Sequence, residues 1–195
     1  MTNKPQVNGA KKITDNKFLN MYELEAQQRN GTVFPYQVAS RANNVSDLIA
    51  VSGKINADAV AIFGVYNDKL VLIKQYRYPV GNYIYELPAG LIDENESIIE
   101  AAKREMFEET GLEFINENIK WDINPWLSSP GMTDETCAIV FGECIGDPTN
   151  QNQEESEDIQ VVLVEKEEAF RILNNEIVDV RTAMAIIIFT MLLDE

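Results

Sequence analysis

The chain has 195 residues, 45% apolar and 25% charged, which suits one sizeable core with at most a small accessory unit. With 32 acidic against 16 basic side chains the net charge is -16, a surface that repels nucleic-acid phosphate and argues against DNA or RNA as a bulk partner. Histidine is absent, which excludes Ser–His catalysis and His-ligated zinc.

Residues 1–17 are polar and are expected to be loose. Residues 18–50 read as a small N-terminal β element, with Asn30-Gly31 as a hairpin turn between partly alternating flanks at 21–28 and 32–40. Residues 51–195 then carry the main domain. A buried strand is expected over 57–66, a turn at Asn67-Asp68, and a return strand over 70–76. A short strand at 84–87 runs into Pro88-Ala89-Gly90. Ser97 and Glu100 stand three apart, the spacing of a capping box, so a helix starts just after Ser97. Gly111 suits the left-handed residue just past its end.

Further along, residues 136–144 read as a strand. Cys137 and Cys144 are an odd number of residues apart within it, so they face opposite ways and are not expected to pair. An acidic loop at 147–158 leads to a strand at 159–164 and helices at 167–174 and 181–193. The last helix is apolar nearly all round, fit to pack on a core or a partner, and too short to span a bilayer. The polar start carries no signal-peptide pattern, and a reducing cytoplasm is the expected compartment. Hairpins among interleaved helices imply a mixed sheet.

On the helix after Ser97, Ile98 and Ala102 mark the stripe that faces a core, and Glu105 and Glu109 continue that stripe. Glu108 lies about 80° to one side. Phe107 falls on the outward face. Carboxylates on an inward stripe cost several kcal/mol unless paired or metal-bound. Arg104, one turn from Glu100 and Glu108, is expected to bridge those two and cannot neutralise the rest. The surplus negative charge on hard oxygen donors suits Mg²⁺ or Mn²⁺. An acidic chain can also carry such a helix on its solvated face, and the glutamates alone leave both readings open.

Gly90, then Glu96, Arg104-Glu105, Met106, Glu108-Glu109, Gly111 and Leu112 at their spacings resemble the Nudix box at every specified position. The resemblance implies an α/β/α sandwich with a mixed sheet, preceded here by the small N-terminal sheet. It also implies Mg²⁺-dependent hydrolysis of a nucleoside diphosphate linked to another moiety. Glu105, Glu108 and Glu109 would be metal ligands together with the main-chain carbonyl of Ala89, while Gly90, Glu96, Arg104 and Gly111 would shape the box.

Three other stretches resemble the ADP-ribose pyrophosphatase group: residues 75–79, 85–90 and 129–135, with the run 155–159 ahead of a strand. By that resemblance the acidic loop closes over the metals, with Glu155 as candidate base and Glu157 as a further ligand or water-orienting group. Arg77, Glu86, Glu135, Met132 and Arg41 are candidate substrate contacts; Phe34 or Tyr36 is a candidate for stacking on a base. The group's dimers pack or exchange N-terminal sheets, so a homodimer is expected, with no nucleic acid and no membrane. Two rivals remain: a pyrophosphatase for another nucleotide sugar such as GDP-mannose, and a non-catalytic module that senses a nucleotide.

Overall fold

The structure is a computed structural model and describes residues 4–115, 125–152 and 158–192. Two compact units divide it. The first takes Met1–Asp58 and Pro125–Cys137, the second Ala59–Asn124 and Ala138–Glu195.

In the first unit β1 (Gln6–Lys12), β2 (Asn20–Gln27) and β3 (Val33–Ser40) form an antiparallel sheet in that order. The β2–β3 hairpin was expected; its loop needs Gly31 at φ +87°, and Asn30 Oδ1 accepts the Thr32 amide. The expectation of a loose start through residue 17 fails for 6–12. Those residues are too polar to announce a strand, yet they add to β2 through backbone pairing, while Val7 and Ala10 pack on a core of Tyr22, Leu24, Val38 and Leu48. The short helix α1 (Ile49–Ser52) follows. Residues 125–137 also belong to this unit rather than to the expected main domain. There β9 (Trp126–Leu127) pairs with the first residues of β10 (Thr136–Ile145).

The second unit is built on a sheet with the order β11-β5-β4-β10-β8. Strand β4 (Ala59–Tyr66) turns at Asn67 and Asp68, both left-handed at φ 48° and 59°, into β5 (Lys69–Arg77). Two such residues match the twist of a tight hairpin. On its two edges β5 also holds β6 (Asn82–Glu86) and β11 (Ile159–Val164), both antiparallel. After β6 the chain steps sideways: β7 (Ala89–Leu91) pairs with β4 instead of β5. Strand β8 (Glu113–Ile115) closes against β10.

Helix α2 (Ile98–Thr110) packs Ala101, Ala102 and Met106 into a core with Val60, Ile62, Val71, Leu112 and Val140. Ser97 caps it by accepting the Glu100 amide, Glu100 returns the bond to the Ser97 amide, and Gly111 ends it at φ +75°. Helices α3 (Lys166–Asn175) and α4 (Val180–Leu192) complete the unit. Thr182, Ala185, Ile186 and Phe189 of α4 are buried, while Val180, Met184 and Met191 are exposed. Phe107 does face outward, 47% exposed, as its place on the wheel implied.

Candidate active site

The site grows from the β7–α2 segment of the second unit. Gly90 stands opposite Val60 on β4, and the Ile62 amide donates to the Pro88 carbonyl at 2.8 Å. The residue between them, Ala89, therefore turns both its amide and its carbonyl away from β4. The Ala89 amide reaches Glu109 Oε2 on α2 at 3.0 Å. Gly90 meets the other inward carboxylate, since a Cβ built on it would fall 1.8 Å from Glu105 Oε1. Glu105 and Glu109 are 9% and 2% exposed, so the acidic half of the core-facing stripe is buried as the wheel implied.

Arg104 is the cation of the cluster. Its Nε and Nη2 fork onto Glu96, both at 2.9 Å, Nη1 donates to Glu105 at 2.7 Å and to Glu108 at 3.1 Å, and Nη2 also reaches the Leu91 carbonyl. The expected partner Glu100 is not among these: its carboxylate is engaged at the helix cap by the Ser97 amide. Glu96, eight residues back along the chain, takes its place because the loop folds over the guanidinium. The Arg104 hydrogen bonds hold the Glu96 carboxyl below the ordinary carboxylate value, and the bond to Glu96 raises the Arg104 guanidinium above its own. One fork thus anchors the loop before α2 to the middle of α2.

Among the described residues, no three acidic or thiol side chains are already closed into a cage for a metal ion. The donors present nevertheless fit a hard divalent cation. Two buried carboxylates and a half-exposed third, all oxygen donors, gather beside a backbone carbonyl turned the same way as the Ala89 amide. Room for Glu105 exists only because residue 90 lacks a Cβ. Glu105, Glu108, Glu109 and the Ala89 carbonyl would hold the ion.

Elsewhere in this unit, Arg77 Nε donates to Glu86 at 2.6 Å across the β5–β6 hairpin, with Glu86 5% exposed. Tyr83 donates to Asp158, the residue before β11. Glu155 and Glu157 lie outside the described residues. In the first unit, Arg41 Nε donates to Glu135 at 2.8 Å, and the residue 129–135 loop is tied to β3 by the Ala39 amide to the Met132 carbonyl and by Tyr36 Oη to the Gly131 carbonyl. Met132 itself is 71% exposed. Sequence reasoning missed Thr182, whose buried hydroxyl accepts the Leu87 amide from 95 residues away.

A family model described as "NUDIX domain" matches residues 55–181. "Putative nudix hydrolase 2" of Caenorhabditis elegans is 38% identical over 120 residues, covering 57% of this chain and 53% of that protein. "ADP-ribose pyrophosphatase" of Bacillus subtilis is 31% identical over 131 residues, 66% of this chain and 69% of that one. "ADP-ribose pyrophosphatase" of Escherichia coli (strain K12) is 35% identical over 119 residues, 56% and 54%. The chain thus spans about half the length of the worm and E. coli relatives. A solved structure of an "ADP compounds hydrolase" superposes with a TM-score of 0.72 at 21% identity, over 96% of this chain and 92% of the other, a likeness of fold.

Proposed function

Because the chain belongs to the Nudix family, we propose that it hydrolyses the diphosphate linkage of ADP-ribose or a related nucleoside diphosphate sugar with Mg²⁺, giving AMP and a sugar phosphate. The observation that carries this reading is the pair of inward carboxylates held at Ala89 and Gly90, Glu109 by the Ala89 amide and Glu105 over the Gly90 backbone. Similarity to two proteins named ADP-ribose pyrophosphatase supports the substrate class.

The bound cation would offset diphosphate charge and sharpen an attacking water. The chain's own residues do the rest. Arg104 holds Glu105 and Glu108 in place. The Ala89 amide orients Glu109. Water attacks one phosphorus, the bond to the bridging oxygen breaks, and the second phosphate leaves with that oxygen. The water's proton passes to a carboxylate within residues 154–158, Glu155 in this proposal, with Glu157 orienting the water. Arg77 with Glu86, Arg41 with Glu135, and Met132 are proposed as substrate contacts. The Arg77 Nε bond to Glu86 fixes the plane of the guanidinium, which suits binding a phosphate or ribose.

We place this reaction in a reducing cytoplasm, in keeping with two buried cysteines not joined in a disulfide, and in a homodimer. Among the described residues no helix is long and apolar enough to cross a membrane. The test is AMP and sugar-phosphate release from a panel of nucleotide sugars with and without Mg²⁺. Preference for ADP-ribose is expected. A flat profile, or a preference for GDP-mannose, removes the substrate assignment; tight binding without turnover replaces the enzyme by a sensor.

A further inference from the structure

Between β6 and β7 the chain changes neighbours. Glu86 is still paired with Ile73 on β5, whereas Ala89 is already opposite Ala61 on β4. Leu87 and Pro88 make the crossing and belong to neither strand. Pro88 has no amide to give, and its carbonyl is taken by Ile62. The donor left at the crossing is the Leu87 amide, 3% exposed at the residue level and turned toward α4. Thr182 Oγ1 accepts it at 2.9 Å, and Thr182 is itself fully buried.

Thr182 is in turn held by what precedes it. Asp179 Oδ1 accepts the Thr182 amide at 2.8 Å, and Arg181 Nε donates to Asp179 Oδ2. Burial pushes the Asp179 carboxyl up, but the bonds from Thr182 and Arg181 outweigh it and hold it below the ordinary value. Just upstream, the Tyr85 amide donates to the Ile177 carbonyl and Tyr85 bridges Val178 in parallel. The start of α4 is therefore laid along the same strand end that feeds the metal-side backbone. Two residues after Leu87 comes Ala89, whose amide positions Glu109.

We propose that Thr182 is a positioning residue for the metal centre: its hydroxyl fixes the β6-to-β7 crossing and so sets where the Ala89 carbonyl and the Glu109 carboxylate stand. The inference rests on the metal-centre reading above. It adds that α4, which supplies no ligand, tunes the affinity of the site through one hydrogen bond. Outer partners that orient ligands act on metal affinity in this way. The coupling is reciprocal: if the Thr182 bond favours the metal-binding arrangement, a bound metal favours the Thr182 bond.

The test uses Mn²⁺ as the probe, titrated by electron paramagnetic resonance against the purified chain, beside thermal unfolding. Thr182→Val keeps the shape and removes the hydroxyl; Thr182→Ser restores it. Weakening by about tenfold in Thr182→Val and near wild-type affinity in Thr182→Ser are expected, the lower end of what outer-partner changes cost. Wild-type Mn²⁺ affinity in a folded Thr182→Val overturns the proposal, as does failure of Thr182→Ser to restore it. Should Thr182→Val not fold, the wild-type chain decides. Hydrogen exchange at the Leu87 amide must slow when Mn²⁺ is added, and an unchanged rate overturns the proposal. The Mn²⁺ readout is independent of turnover, so absence of hydrolysis on every nucleotide sugar would sink the substrate reading and leave this inference standing.

Discussion

The carboxylate of Glu105 occupies the space where residue 90 would carry its side chain: Oε1 is 1.8 Å and Cδ 2.0 Å from the position of a Cβ on Gly90. The two residues are fifteen apart in sequence and lock to each other by the absence of one carbon. The glycine of the box is thus a steric requirement of its glutamate.

Gly90→Ala is accordingly expected to spare the fold and damage the site. The clashing atoms are the end of a flexible side chain, so Glu105 can swing away, giving up its place and its bond to Arg104. Misplacement of about 1 Å costs on the order of 10²-fold in rate. Turnover measured beside thermal unfolding checks this: a large loss of rate with a melting temperature within a few degrees of wild type is the expected pair.

Glu109→Gln should act differently. The amide can still accept the Ala89 N–H, so packing and the β7–α2 contact persist. What disappears is the negative charge. Turnover is expected to fall by about 10²-fold or more with circular dichroism unchanged, because the loss is of metal charge complementarity. Near-wild-type turnover would remove Glu109 from the ligand set.

Arg104 and Glu96 predict an acid limb of stability. The Glu96 carboxyl lies lower in the folded chain than its ordinary 4.5, because Arg104 hydrogen-bonds its charged form. The folded state therefore binds that proton more weakly than the unfolded chain does. The contribution is complete above the unfolded value and is lost as pH falls through the folded one. Urea midpoints should stay level from about pH 7 to about pH 5.5 and drop below about pH 4.5, with a shallower drop in Glu96→Gln. Arg104→Met should cost roughly 2–3 kcal/mol at neutral pH by stranding half-buried carboxylates.

The thiols give a simpler check. Cys137 and Cys144 are each 4% exposed with no disulfide between them, and burial pushes the Cys144 thiol up to about 12. The native chain should react slowly or not at all with a thiol reagent at pH 8, and the urea-unfolded chain should titrate two thiols. Fast reaction of Cys144 in the native state would contradict its environment.

Much of the site was legible because its signals are local. Ser97 and Glu100 announce the start of α2, Gly111 its end, and the 100° step places Glu105 and Glu109 inward before any coordinates are needed. The error over Arg104 has the same origin. Glu100 and Glu108 are its helical neighbours, but the cap had already engaged Glu100, and Glu96 reaches the guanidinium by a loop whose course no periodicity encodes. Strand β1 was missed because its polar residues are held mainly by backbone pairing. Thr182 was illegible for a plainer reason: a threonine in an apolar helix says nothing about which amide 95 residues away needs an acceptor.

The two stops of α2 also bear on how this segment can change in length. Inserting one residue between Ile98 and Arg104 would rotate the following side chains by about 100°, carrying the acidic pair off its stripe while the caps stayed intact. An extra residue in the Asn67-Asp68 hairpin, on the far side of β4 in sequence, leaves that phase alone. Relatives that keep this chemistry should therefore differ freely in hairpin length and hold the interval from Ser97 to Gly111 fixed.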